Sequence, residues 1–399
     1  MISPSEYSQV TRPRKVVGAA FIVFFWGLAL SVCITLAPRD NFPVIPPAPP
    51  MPSPNAADVF HNAALLLHKN GGIQKLPIAP KAANLPLIRA EVQANRKAIT
   101  EFRRALTLPC QYPLNRHLND SRSLHLEEFD LTQLIEREGQ LYEAEGNWRA
   151  AADSYLDIYE FGIKLAARSS FLNGLTGTVF QAVALKPLGL LLDRCDFVTA
   201  THIVERMKPL YACTPSAVDI LREERFEALC QSREPGPKGH WRYSFYHIQY
   251  CQEVRMQQGN WEEILAWAKE PRFRRGPYPH SVIEKEGSEV RQLIERWTYL
   301  TMPRCQVVVQ ITDERQTEAQ LVFVKAKLVA YRGQHGGYPA SLAALVLPRE
   351  LVTDPYSNKP LIYGPPSKTS KDGKMKLHSV GPNAVDNGGR NDDLLPGAP

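Results

Sequence analysis

The stretch Leu131–Arg168, "LTQLIEREGQLYEAEGNWRAAADSYLDIYEFGIKLAAR", holds two helical patterns with one punctuation mark between them. Apolar and aromatic residues recur three and four apart on both sides of Gly146-Asn147, the spacing of a buried helix face. Glycine tolerates the left-handed conformation that ends a helix, and asparagine can cap the free N–H groups of the next. The stretch therefore reads as a helical hairpin. Its first helix stops at Gly146, and its second places Trp148, Ala151, Ala152, Tyr155, Leu156 and Tyr159 on one face. Gly139 and the Ala151-Ala152 pair leave room for close approach, and Tyr142, Trp148 and Tyr155 interlock across it.

Over about forty residues this hairpin resembles the tetratricopeptide-type unit. A strict repeat of fixed period does not appear on either side, and a solenoid needs roughly three or more units. The helical pattern from Asn55 to about Pro303 is thus expected to form an irregular helical-hairpin array, with an ordinary helical bundle as the rival. The fold class is mostly α and multi-domain.

Outward toward the N-terminus, Val16–Ala37 is a run of 22 residues without a charge. As a helix it reaches roughly 33 Å, enough to cross a hydrocarbon core of ~30 Å. Arg12, Arg14 and Lys15 precede it, while Arg39 beside Asp40 follows, so residues 1–15 are expected in the cytoplasm and the bulk of the chain outside. The apolar run exceeds a signal-peptide core of ~7–15 residues, and its exit at Thr35-Leu36-Ala37 matches a small-x-small cleavage site only loosely. An uncleaved single-pass anchor over 16–37 in a bacterial inner membrane is the expectation. Residues 38–54 hold eight prolines, which favours a semi-rigid extended stalk.

The 399 residues carry 47 basic and 41 acidic side chains, a net charge of +6 without long single-sign runs. That balance gives no nucleic-acid footprint. Six cysteines follow the anchor (Cys110, Cys195, Cys213, Cys230, Cys251, Cys305) with no pair at C-x-x-C spacing, so they read as buried thiols or as one or two disulfides. Between 241 and 275, Arg242, Arg272, Arg274 and Arg275 alternate with Trp241, Tyr243, Phe245, Tyr246 and Phe273. Such a segment is either a loop pinned by aromatics or a surface that stacks on sugars or bases. His117, His125, Glu127 and Glu128 form the one polar cluster suggestive of catalysis, and a solvated helix start explains them equally.

After Thr317 the pattern changes. A long helix to Tyr331 is followed by glycines at 333, 336 and 337, then by a short helix from Pro339. Next come the turn-rich Asp354-Pro355-Tyr356-Ser357-Asn358 and strand candidates Leu361–Tyr363 and Met375–Val380, with an Asp-Gly turn signal at Asp372-Gly373 between them. The chain closes on a loop where Asn383, Asp386, Asp392 and Asp393 crowd around Gly388 and Gly389.

The words Gly336-Gly337-Tyr338-Pro339, Ser341-Leu342, Asp354-Pro355-Tyr356, Asn358-Lys359-Pro360-Leu361-Ile362-Tyr363 and Ser379-Val380-Gly381-Pro382-Asn383 stand in the order of the globular head of the type II secretion major pseudopilin (G-type). The resemblance covers roughly the last ninety residues. It implies a small α+β domain over 304–399 and a calcium ion in the terminal loop, held through Asp392 and Asp393, with Asn383 where the family has an aspartate and Asp386 nearby. Calcium's need for ~6–8 oxygens suits clustered carboxylates in a glycine-rich loop. The anchor lacks the glutamate of a pilin, and about 280 residues separate it from the head-like helix, so fibre assembly is not expected.

These readings divide the chain into 1–15 cytoplasmic, 16–37 membrane, 38–54 stalk, 55–303 helical domain and 304–399 head-like domain. The expected function is non-enzymatic: a membrane-anchored envelope scaffold with a protein partner, linked to a secretion or pilus-like apparatus. The alternative is an extracytoplasmic hydrolase or carbohydrate-binding protein using 241–275.

Overall fold

A computed structural model describes residues 46–69, 84–114, 126–231, 261–279, 289–366 and 375–397. Pro47–Gln231 and Trp261–Pro399 cluster as one compact unit. The 16–37 run, most of the stalk and Trp241–Tyr246 lie outside the described residues. Helices α1 (Ala56–Lys69), α2 (Leu85–Ala94), α3 (Arg96–Leu106), α4 (Leu126–Ala144), α5 (Trp148–Ala166), α6 (Phe171–Leu191), α7 (Phe197–Cys213), α8 (Ala217–Gln231), α9 (Glu289–His335) and the one-turn α10 (Arg349–Val352) precede two short strands, β1 (Ile362–Gly364) and β2 (Lys376–His378). The described fold is mostly helical with one two-stranded antiparallel sheet, in which Ile362 faces His378.

The hairpin forms as its residues dictate. α4 ends two residues before Gly146, whose φ is +76°, and the Asn147 side chain accepts the Ala150 N–H at 3.3 Å. A Cβ on Gly139 would fall 2.5 Å from Tyr155, so this glycine admits the tyrosine ring between the helices. One expectation was too narrow: α5 is buried on most of its circumference, Ile158, Phe161, Ile163 and Leu165 included, not along one stripe. The reason is its position, with α3, α4, α6 and α7 all packed around it. The α5–α6 crossing is close, because a Cβ on Gly177 would meet the Gly162 carbonyl at 2.3 Å.

Phenylalanines join the first helices. Phe60 of α1, Phe102 of α3 and Phe161 of α5 lie 4.4–5.4 Å apart, and Phe180 of α6 stacks on Phe161 at 5.3 Å. Such pairs contribute about 0.5–1.5 kcal/mol each beyond the area they bury. Ser170 caps α6, and Asp196 caps α7 by accepting the Thr199 N–H at 2.8 Å. That hydrogen bond lowers the Asp196 carboxyl from its ordinary value. The cap's contribution is therefore present above the ordinary aspartate range and lost as pH falls through the folded value. Replacing Asp196 by Ala is expected to cost about 1 kcal/mol, read by denaturant unfolding at pH 7.

α9 runs without interruption across position 303/304, where the sequence suggested a domain boundary. From 319 onward it serves two cores at once. Ala319, Val322, Phe323, Ala326 and Val329 join the main helical core, while Leu321, Val324 and Leu328 pack under Leu342, Leu361 and Leu377 of the head-like region. Lys325 ties the helix to α6 through the Gly189 carbonyl (2.8 Å) and to Asp193 (2.7 Å). The strands fall one residue later than the sequence suggested at β1 and inside the expected range at β2. Among the described residues, one helix, Phe171–Leu191, is long and apolar enough to cross a membrane, and more than half of its apolar window is buried inside the protein.

Candidate metal-binding loop and charged cleft

The final loop is closed at its base. Ser379 and Leu394 exchange backbone hydrogen bonds at 3.0 and 3.1 Å, and Gly381, at φ +66°, packs so tightly that a Cβ would lie 1.9 Å from the Asp392 carbonyl oxygen. Within the loop the expected ligands separate into two groups. Asp392 accepts the Asn383 N–H (3.0 Å) and the carboxamides of Asn383 (2.5 Å) and Asn387 (3.0 Å), while Asn383 Oδ1 accepts the Val385 N–H at 2.6 Å. Asp386 and Asp393 instead gather around His378. Its Nε2 stands 2.9 Å from Asp386 Oδ1 and 3.6 Å from Asp393 Oδ2. The ligand atoms of these three residues all lie within 4.8 Å of one another.

Backbone amides fix both carboxylates: Gly388 N–H donates to Asp386, and Asn387 and Gly389 N–H donate to Asp393. The His378 hydrogen bond, with that of Gly388, holds the Asp386 carboxyl below the usual range. The Asp393 side chain is fully buried, and among the described residues His378 is the only basic side chain within ion-pair distance of it. The histidine is buried as well, and its Nδ1 has no partner. An unmet buried polar atom costs about 1–3 kcal/mol, similar to the ~1.5–3 kcal/mol that a hydrogen bond to a carboxylate contributes, so the His–Asp hydrogen bond does little more than offset this burial.

Calcium binds through oxygen, 6–8 ligands at a time. Here the four expected ligands do not converge, and the cluster that does form presents a ring nitrogen. The donor set thus fits calcium poorly. His378 was the residue missed: it lies inside the strand candidate Met375–Val380, five residues before Asn383, and brings a nitrogen donor to a loop whose other candidates are oxygen donors.

A second polar cluster joins residues far apart in sequence. Arg103 of α3 hydrogen-bonds Glu138 of α4 at 2.5 Å and Asp157 of α5 at 2.8 Å, while Arg206 of α7 reaches Asp153 at 2.9 Å, Asp157 at 3.1 Å and Glu160 at 3.5 Å. His202 of α7 adds a 2.7 Å contact to Asp153. Arg103, Asp153, Asp157, Glu160 and Arg206 border an open cleft of about 610 Å³ that Tyr142 also lines. Burial raises the Glu160 carboxyl above its ordinary value, against the pull of Lys164 and Arg206.

In the described part of the aromatic and basic segment Arg272 and Arg275 turn inward, whereas Phe273 and Arg274 stay exposed. Arg272 and Arg275 both pair with Asp313 of α9, Arg272 also reaches Gln316 and lies over Tyr356, and Arg275 lies over Trp267. His117, His125 and the Glu127 side chain lie outside the described residues, and Glu128 is buried. Cys110, Cys195 and Cys213 are free thiols, and burial pushes Cys110 and Cys305 up to about 12. No family model, curated protein or solved structure matches this chain.

Proposed function

We propose that the chain is a non-catalytic, membrane-anchored binding protein of the cell envelope, and that the cleft between α3, α5 and α7 receives a basic segment of a protein partner. The observation that supports this reading is the charge balance of the cleft. Asp153, Asp157 and Glu160 line the cleft with Arg103 and Arg206, which leaves one carboxylate in excess along its wall. Asp153 keeps 36% of its side-chain surface exposed at the rim. Half-buried carboxylates beside an aromatic ring suit the arginine or lysine of an incoming chain, and Tyr142 supplies the flat contact that interfaces favour. Anchor and stalk would hold this surface off the bilayer, and a place beside a secretion or pilus-like apparatus follows from the head resemblance.

A photo-crosslinking residue at Ala150, on the cleft wall, tests this in native envelopes. One partner band is expected, weakened roughly tenfold by Tyr142→Ala or Glu160→Gln and reduced at high salt. A band that persists in both variants, or none at all, removes the cleft from the account.

A further inference from the structure

We propose that His378, Asp386 and Asp393 bind one divalent transition-metal ion of the zinc class, through one imidazole nitrogen and two carboxylates. The proposal is independent of the cleft. It starts from a charge imbalance. An imidazolium at His378 would set one positive charge against two carboxylates. A neutral imidazole leaves Asp386 and the fully buried Asp393 without a cation between them. A dication at Nε2 matches both carboxylates and uses the Nε2 lone pair, which leaves the single imidazole proton on Nδ1.

The geometry is near what such an ion requires. Nitrogen and carboxylate ligands sit about 2.0–2.2 Å from zinc, which in a tetrahedron separates them by roughly 3.4 Å. The Nε2 distances of 2.9 and 3.6 Å bracket that value. The carboxylates are already oriented by the amides of Asn387, Gly388 and Gly389, the outer-shell support that metal ligands generally have. Asp386 is 44% exposed, so it can swing to close the site and leaves a path from solvent. Imidazole nitrogen selects against calcium and magnesium, which take oxygen. Such an ion would fasten the loop to β2, and through β2 to α9.

The test uses the full-length chain in detergent, stripped with chelator and then given micromolar zinc or millimolar calcium, with bound metal and unfolding temperature both measured. About one zinc per chain and a rise of a few degrees are expected, with no shift from calcium. Asp386→Asn, at a partly exposed position, should stay folded and bind zinc at least tenfold more weakly; His378→Gln should lose it. A cobalt-loaded sample should lack a thiolate charge-transfer band, which separates this site from the cysteines. A calcium-only response, zinc binding unchanged in Asp386→Asn, or no metal response in a folded protein would each overturn the proposal.

Discussion

Asp354→Ala is expected to destabilise the head-like region by about 3–5 kcal/mol, a larger loss than any other single substitution argued for this chain. The carboxylate is completely buried and, among the described residues, pairs with no cation. Instead its oxygens accept three backbone N–H groups: Tyr356 at 2.8 Å and Ser357 at 3.3 Å from one oxygen, and Val380 at 2.7 Å from the other. One side chain thus shapes the 354–358 turn and fastens it to the residue pair that follows β2. Alanine would strand three donors, each costing about 1–3 kcal/mol where water cannot reach. The damage should be local. Gln320 of α9 donates to the carbonyls of Glu350, Leu351 and Thr353 just before the turn, and the opposite side of α9 stays in the main core. Hydrogen exchange should therefore accelerate over 353–364 and 375–381 while α4 to α7 keep their protection. Equal loss everywhere would mean that the two cores on α9 unfold together, and unchanged protection at Val380 would refute the role given to Asp354.

Local chemistry made some of this fold legible and distance hid the rest. Gly146-Asn147 declares a hairpin because left-handed tolerance and capping belong to those two residues alone, and the Asp354 cluster declares a turn for similar reasons. Periodicity located the apolar face of α5 but not its full burial, since how many neighbours surround a helix is decided by segments elsewhere in the chain. The sharing of α9 between two cores is hidden likewise: Val322 and Val324 are equally apolar, and only packing sends them to different sides. Within the candidate site, the aspartates were visible as a cluster, whereas His378 enters through the antiparallel pairing of β2 with β1. The cleft is the extreme case. Arg103 and Asp157 stand 54 positions apart and Arg206 a further 49, so each read singly as a solvated charge.

Arg103 is the residue whose loss should expose that cleft network most clearly. Glu138 and Asp157 retain only 5% and 8% of their side-chain surface, while Arg103 lies above them at 38%. Arg103→Leu leaves Asp157 its bond to Arg206 but strips Glu138 of its cation, leaving it only the Ser154 hydroxyl at 2.9 Å. Breaking a fully buried pair from one side costs about 3–5 kcal/mol, and the solvent around the arginine reduces this to roughly 2–3 kcal/mol. Truncating both partners should cost much less, because an apolar pair leaves no buried charge uncompensated. Arg103→Leu with Glu138→Leu is therefore expected to recover at least half of the single-variant loss in urea unfolding. Strict additivity of the two substitutions would show that Glu138 is solvated whether or not Arg103 is present. The double variant also separates stability from binding: it restores the fold while removing the arginine that orients Asp157, so a partner that depends on this charge arrangement should still be lost. Retained binding in a refolded double variant would place the recognition on Asp153, Glu160 and Arg206 alone.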